Sequence, residues 1–186
     1  TLAVRDDANA ILASASTLVR VVPSQARASL RVLVVGDSLT NASHYPAQVL
    51  ANAEADPNLE VVLVGSHRPR GADSPVRHEG YGGWTAERFV TYWAEKPEPG
   101  RQSHSPFLYK DGDAAPVLDF PRYCREQNEG KALDAVTFLL GCNDVFGASD
   151  DTIAERADVC IRNLERLVQM VRAFGPATRI GLMLPV

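Results

Sequence analysis

The sequence has few cysteines and no long hydrophobic run. Its three cysteines, Cys124, Cys142 and Cys160, form no Cys-x-x-Cys pair, and no His/Cys cluster has the spacing of zinc ligands. A count this sparse favours buried, reduced thiols over a disulfide. No apolar stretch is long enough to span a bilayer. These features argue against a disulfide framework, a zinc module and a membrane-spanning segment.

The sequence also lacks a strong excess of either positive or negative charge. The 19 basic and 23 acidic residues give a net charge of −4, without a long run of either sign. This balance argues against nucleic acid or an anionic membrane as the main partner. The first residues, Thr1–Asp7, lack the basic and apolar regions of a signal peptide and are typical of the middle of a fold.

The pattern of residues divides the chain at about residue 28. Residues 1–28 predict an N-terminal β-hairpin and linker, with strands at 1–4 and 18–22 around a turn-forming stretch at 5–10. This region is the end of an upstream β domain or an arm of the main domain. Residues 29–186 form the main domain, and 186 residues suit one domain with an appendage.

The main domain alternates strands with helices. Valine-rich, nearly continuous apolar runs predict strands buried on both faces, which is typical of a parallel sheet. The predicted strands are 30–35, 61–64, 135–140 and 179–184, and the predicted helices are 45–55, 85–95, 119–127 and 152–174. The last helix begins at a Thr152-x-x-Glu155 capping box, and its apolar stripe, which includes Cys160, Ile161 and Leu167, predicts core packing. The fold class is therefore α/β, a three-layer α/β/α arrangement with helices on both faces of the sheet.

Three unusual segments lie at or near the carboxyl ends of the predicted strands, where ligands bind in such folds. They are Gly36-Asp37-Ser38-Leu39-Thr40, Gly80-Tyr81-Gly82-Gly83-Trp84-Thr85 and Gly141-Cys142-Asn143-Asp144. A serine at a strand-to-helix turn exposes its hydroxyl, a glycine lets its N–H approach the reacting centre, and an asparagine amide donates without charge. Together they suit acyl transfer through an oxyanion hole.

Each segment also has a purely structural interpretation. Asp37 and Ser38 can cap the following helix, and Asn143-Asp144 can be a plain turn. Gly80, Gly82 and Gly83 can be ordinary loop glycines. Trp84 is more typical of packing than of a substrate platform, and Cys142 is typical of a small buried filler.

The order and spacing of the three segments resemble the first three blocks of the SGNH (GDSL) hydrolase superfamily over about residues 30–186. The resemblance implies a flavodoxin-like fold, Ser38 as the nucleophile, and an oxyanion hole formed by the Ser38 N–H, the Gly83 N–H and the Asn143 side chain. Gly83 fits better than Gly80 or Gly82 because it directly precedes the Trp-Thr that opens a helix. No cofactor and no metal are implied.

The fourth block of that superfamily, Asp-x-x-His, is absent from the sequence. None of the four histidines, His44, His67, His78 and His104, follows an aspartate by three residues. We expect His78, just before the glycine-rich loop, to reach the site as a substrate contact. The chain also stops after a predicted strand, so we expect an SGNH domain that is incomplete at its C-terminus, with the C-terminal remainder of the same gene product as a separate segment, or else a degenerate relative.

The sequence therefore predicts a serine esterase that removes an ester, most simply an O-acetyl group, from a carbohydrate. The long loops 66–83 and 97–119 are polar and suit a glycan or small-molecule ester better than a long acyl chain. The alternatives are an inactive carbohydrate-binding or scaffolding module on the same fold, and an acyltransferase using the same serine. The hairpin favours a multidomain protein, secreted or periplasmic.

Overall fold

A computed structural model describes residues 2–16, 27–69, 71, 73–96 and 102–183. The strands are β1 (Leu2–Arg5), β2 (Ile11–Ala15), β3 (Ala28–Gly36), β4 (Leu59–Val64), β5 (Glu79–Gly80), β6 (Leu108–Tyr109), β7 (Val117–Leu118), β8 (Ala135–Leu139) and β9 (Arg179–Met183). The helices are α1 (Ser38–Asn41), α2 (His44–Glu54), α3 (Ala86–Thr91), α4 (Phe120–Gln127), α5 (Cys142–Val145) and α6 (Ile153–Phe174).

The central sheet is parallel and has the order β4-β3-β8-β9. The short strand β5 pairs with the last two residues of β3, beyond the point where β4 ends. Strand β3 therefore lies inside the sheet, and its carboxyl end is flanked by β5 on one side and by β8 on the other. The predicted parallel sheet is confirmed.

Helices cover both faces of this sheet. Leu33 and Val35 of β3 pack in one cluster with residues of α3, α4 and α6. Val34, between them in sequence, faces the opposite side and packs in a second cluster with Leu50 of α2. Neighbouring strand residues point to opposite faces, and because all three of these residues are apolar, both faces of the sheet are apolar here. Burial of each such aliphatic side chain stabilises the fold by about 1.5–3 kcal/mol. The three-layer α/β/α architecture is confirmed.

The N-terminal hairpin differs from its prediction in the position of its second strand. β1 pairs antiparallel with β2, and a turn over residues 6–10 joins them. The second strand, Ile11–Ala15, thus comes earlier than the predicted strand at 18–22, which lies outside the described residues. The polar stretch at 5–10 was recognised from its Asp and Asn residues, whereas the alanine- and serine-rich β2 carries a weak strand signal.

The long helix α6 begins directly after Thr152, as predicted, but it differs from the prediction in its capping and in its packing. Thr152 is the N-cap residue, but its side chain caps no helix amide and instead accepts a hydrogen bond from the Ser149 N–H at 3.0 Å, so the predicted capping box is wrong. Leu167 is fully buried, whereas Ile161 is 52% exposed and lines a surface cavity with Leu182 of β9. The predicted core stripe is therefore only partly buried. In the described residues, no helix combines the length and the apolar character needed to cross a membrane.

Candidate active site

Ser38 lies at the first position of α1, directly after the carboxyl end of β3. Asp37 is the N-cap residue, and its carboxylate accepts a hydrogen bond from the Leu39 N–H at 2.9 Å. Asp37 thus performs the capping that the sequence offered as an alternative for the pair. Ser38 is exposed, and within the described residues neither its hydroxyl nor its N–H has a hydrogen-bond partner. With respect to the residues that the structure describes, the strand-to-helix turn therefore presents a serine side chain and a backbone donor that are both available for a further hydrogen bond.

Gly83 occupies an exposed turn between two buried aromatic residues. The Trp84 N–H donates to the Tyr81 carbonyl at 3.2 Å, which closes a four-residue turn. Gly83 is its third residue and has φ +74°, a left-handed conformation that glycine adopts without strain. Tyr81 and Trp84 are 7% and 5% exposed, so the prediction that Trp84 is a packing residue is confirmed. The Gly83 N–H has no partner among the described residues.

Strand β5 fixes this turn relative to Ser38. Gly80 pairs with Gly36 at the end of β3, and the Tyr81 N–H donates to the Gly36 carbonyl at 3.1 Å. A side chain at Gly80 would meet the Thr40 methyl at 2.6 Å and the Asn41 nitrogen at 2.7 Å, so only glycine allows α1 to pack this closely. The turn that carries Gly83 is consequently attached to the strand that leads into Ser38.

Asn143 connects these two segments. It follows β8, the other neighbour of β3, and its side-chain amide donates to the Trp84 carbonyl at 3.0 Å. The same nitrogen lies 3.5 Å from the Asp37 carboxylate, at the limit of a hydrogen bond. The amide is therefore next to the residue before Ser38 and the residue after Gly83. The structure brings the three predicted site residues, Ser38, Gly83 and Asn143, into one region at the carboxyl edge of the sheet.

Asp144 adds a second connection between the same segments. Its two carboxylate oxygens accept the Ala86 N–H, at 3.0 and 3.2 Å, at the start of α3. Burial raises the pKa of the Asp144 carboxyl, and the Ala86 hydrogen bond partly opposes this rise. Asp144 thus holds the helix that follows Trp84 against the segment that carries Asn143. Sequence reasoning noted this residue only as part of a motif, because its partner lies 58 residues away.

His78 is fully buried, so it is not available as the substrate contact that the sequence predicted. Its Nδ1 accepts a hydrogen bond from the Gly80 N–H at 3.0 Å, so this nitrogen carries no proton. Its Nε2 therefore donates to the Ser43 hydroxyl at 2.9 Å, and that hydroxyl donates to the Asn41 carbonyl. Burial lowers the pKa of His78 to about 4, with a smaller contribution from His67. His78 is a neutral side chain that joins β5 to the end of α1.

The other histidines have partners of their own or no resolved role. His67 is within hydrogen-bond distance of the Asn41 side-chain oxygen, at 3.0 Å. The His104 Nδ1 is hydrogen-bonded to the Ser103 hydroxyl at 2.7 Å, and its ring packs at a tilt against Trp93 with ring centroids 4.6 Å apart. Across the described part of the chain, which includes every histidine, none is hydrogen-bonded to Ser38.

The cysteines fall into two classes. Cys124 and Cys160 are buried and free, and burial raises the pKa of each thiol to about 12, so both are protonated and unreactive near neutral pH. Cys142, beside Asn143, is exposed. The prediction that Cys142 is a small buried filler is wrong, because Cys142 lies beyond the end of β8, at the start of the short helix α5, where its side chain is exposed.

Comparison with known proteins finds similarity among solved structures alone. No family model matches the chain, and no curated protein matches it. A carbohydrate acetylesterase family member from Sinorhizobium meliloti aligns with 18% identity and a TM-score of 0.48, over 84% of this chain and 62% of that one. A mutant of an acetyl-xylooligosaccharide esterase from Geobacillus aligns with 16% identity and a TM-score of 0.40, over 86% of this chain and 60% of that one. The chain thus spans about three fifths of the length of these structures.

Proposed function

We propose that this chain supplies the nucleophile and the oxyanion hole of a serine esterase that deacetylates a carbohydrate. The observation that carries the proposal is the position of the Asn143 amide, 3.0 Å from the Trp84 carbonyl and 3.5 Å from the Asp37 carboxylate. This contact brings the segments of Ser38 and Gly83 together at one amide, and the Ser38 hydroxyl and the N–H groups of Ser38 and Gly83 have no hydrogen-bond partner among the described residues. The Asn143 amide has two N–H groups and makes only one hydrogen bond of ordinary length. Such a set of donors is what a tetrahedral oxyanion requires.

In this mechanism the Ser38 hydroxyl attacks the carbonyl carbon of an acetyl ester. The negative charge that develops on the carbonyl oxygen is held by the Ser38 N–H, the Gly83 N–H and the Asn143 amide. Expulsion of the sugar alkoxide, which is protonated as it leaves, gives an acetyl-serine, and water then attacks that ester to release acetate and regenerate Ser38. Each donor contributes about 10²–10³ in rate, judged from the loss of comparable donors.

The mechanism needs a general base, and we propose that it is a histidine outside these 186 residues. No Asp-x-x-His sequence occurs in the chain, and His67, His78 and His104 already have other partners. His44, the remaining histidine, is not hydrogen-bonded to Ser38 among the described residues. A serine hydroxyl without a base is a weak nucleophile, so the chain alone is expected to be nearly inactive. Polypeptide of the same gene product that carries the motif would complete the site.

Two exposed apolar side chains support a carbohydrate ester as substrate. Leu39, directly after Ser38, is 49% exposed, and Phe146, three residues after Asn143, is 79% exposed. An exposed aromatic ring can stack on the apolar face of a sugar ring, while the exposed position of Ser38 suits a short acyl group.

The test is acetate release from a fully acetylated oligosaccharide by the full-length gene product and its Ser38→Ala variant. The proposal expects release by the wild type and none above background by Ser38→Ala. If the wild type binds the oligosaccharide but releases no acetate, and Ser38→Ala binds it with the same affinity, the result would establish the non-catalytic binding module instead. Transfer of acetyl to an added alcohol in preference to water would identify an acyltransferase.

A further inference from the structure

Glu79 is a fully buried carboxylate that the proposed mechanism does not use. It accepts four hydrogen bonds. The Ser66 N–H and the Tyr123 hydroxyl donate to Oε1 at 2.6 and 2.8 Å, and the Ser66 hydroxyl and the Tyr81 hydroxyl donate to Oε2 at 2.9 and 2.6 Å. Both oxygens are therefore fully satisfied, and none of these partners is a cation.

The donors come from three separate parts of the fold. Ser66 lies in the loop after β4, and Tyr123 lies in α4 on the covering layer of the sheet. Tyr81 is the first residue of the turn that carries Gly83, and its own carbonyl closes that turn. One carboxylate therefore fastens the turn to a loop on one side and to a helix on the other.

This arrangement is costly for a residue that only fills space. Burial raises the pKa of the Glu79 carboxyl, and it raises the pKa values of Tyr81 and Tyr123 well above their usual range. An aliphatic side chain of similar size would pack among the same aromatic residues without losing the hydration of a carboxylate. What an aliphatic side chain cannot do is accept four hydrogen bonds and so fix the directions of two tyrosine rings.

We propose that Glu79 is a positioning residue, which holds Tyr81 and thereby places the Gly83 N–H for the oxyanion that forms on the acyl group attached to Ser38. The inference rests on the proposed function. Glu79 pairs with Val35 across β5 and β3, so the same residue sets both the register of the turn on β3 and its orientation. Glu79 does not touch substrate, and it acts through Tyr81.

The sharpest variant is Tyr123→Phe, because Tyr123 lies outside the turn and outside the site. This change removes one donor from Glu79 and keeps the ring that packs in the core. Tyr109→Phe is the matched control, since it removes a hydroxyl that donates to the exposed Glu126 at 3.0 Å. Thr178→Val is a second control, since it removes a buried hydrogen bond to the Leu133 carbonyl at the opposite end of the sheet.

Three measurements are made on the full-length gene product, the first of which is urea unfolding, which gives the loss of unfolding free energy in each variant. Hydrolysis of p-nitrophenyl acetate gives kcat and KM, and hydrogen exchange over residues 80–85 reports how firmly the turn is held. We expect Tyr123→Phe to lower kcat about tenfold with KM nearly unchanged, because displaced catalytic donors act on the transition state. Exchange over 80–85 is expected to be faster in Tyr123→Phe and unchanged in both controls. Glu79→Gln, which keeps one acceptor oxygen, is expected to retain more activity than Glu79→Ala.

Specific outcomes overturn the proposal. One is a Tyr123→Phe enzyme with wild-type kcat, and another is an equal fall of kcat in Thr178→Val at the same loss of unfolding free energy. A wild type no more active than Ser38→Ala contradicts the proposed function instead. In that case the exchange data still decide whether Glu79 holds the turn. Equal exchange over residues 80–85 in Tyr123→Phe and in the controls would show that Glu79 does not hold it.

Discussion

The side-chain amide of Asn143 donates a hydrogen bond to the backbone carbonyl of Trp84 at 3.0 Å, across 59 residues of sequence. Trp84 directly follows Gly83, so one side chain both lies in the candidate oxyanion hole and holds the turn that supplies its second backbone donor. Asp144 repeats the connection one residue later through the Ala86 N–H. The segment after β8 and the segment after β5 therefore form one structural unit around Ser38.

Asn143→Ala should lower kcat for p-nitrophenyl acetate about 10²–10³-fold, because it removes a donor to the oxyanion and loosens the turn at Trp84. Asn163→Ala is the matched control. The Asn163 amide also donates to a backbone carbonyl at 3.0 Å, that of Val159, but within α6 and away from the site. Steady-state kinetics of both variants, with circular dichroism to verify folding, make the comparison. Equal rates in the two variants would remove Asn143 from the mechanism.

Gly83→Ala should cost about 1–2 kcal/mol of unfolding free energy and should lower kcat, because alanine is strained at φ +74°. The added methyl group meets no atom within 4 Å, so the effect is conformational and not a clash. Gly82→Ala is the matched control, since Gly82 is equally open but does not have a positive φ. Urea unfolding and kinetics check both. Loss of activity in Gly82→Ala but not in Gly83→Ala would show that the oxyanion donor is not Gly83.

The sequence predicted the sheet and the convergence of the three segments well, for a physical reason. Parallel strands carry a continuous apolar signal, and their carboxyl ends meet at one edge whatever the details of the loops. Thus Gly36 and Gly141 could be placed near one another from strand assignments alone. Gly80 was predicted in a loop, and only the structure shows that it lies in a strand, β5, paired with the end of β3. The catalytic roles of Ser38, Gly83 and Asn143 stay predictions.

What the sequence did not reveal are interactions between distant side chains. Glu79 reads as an ordinary charged loop residue, and only the fold shows that Tyr81, Tyr123 and Ser66 surround it. His78 was misjudged for the same reason, because its burial depends on β5 packing against α1. The capping box at Thr152 failed because the threonine hydroxyl accepts a hydrogen bond from the Ser149 N–H instead of from a helix amide.

Acid should destabilise the protein through His78. Burial lowers its folded-state pKa to about 4, below the ordinary 6.5, so the neutral form is favoured on folding. The resulting stability is fully present above pH 6.5 and is lost as the pH falls toward 4, by at most about 3 kcal/mol. His78→Asn keeps an acceptor for the Gly80 N–H but does not titrate. Urea unfolding at pH 7 and pH 4.5 should show a smaller fall for the variant, and an identical fall would contradict the assignment.

Phe146→Ala should separate the recognition of sugar from the chemistry. We expect KM for an acetylated oligosaccharide to rise about tenfold, because stacking on the exposed ring is lost. Both kinetic constants for p-nitrophenyl acetate should stay near wild type, since that ester has no sugar ring. Val117→Ala, which shortens another exposed apolar side chain in the hairpin β6–β7, controls for general surface effects. An unchanged KM for the oligosaccharide would argue against a carbohydrate platform at Phe146.

The most direct test of the account is the identity of the nucleophile. The full-length gene product is assayed with p-nitrophenyl acetate, as wild type and as Ser38→Ala, after intact-mass analysis and peptide mapping have established whether a segment outside these 186 residues carries an Asp-x-x-His motif. The account predicts turnover by the wild type, a transient acetyl group on the peptide that contains Ser38, and loss of both in Ser38→Ala. Equal rates in the two proteins, or acetylation at another residue, would contradict it.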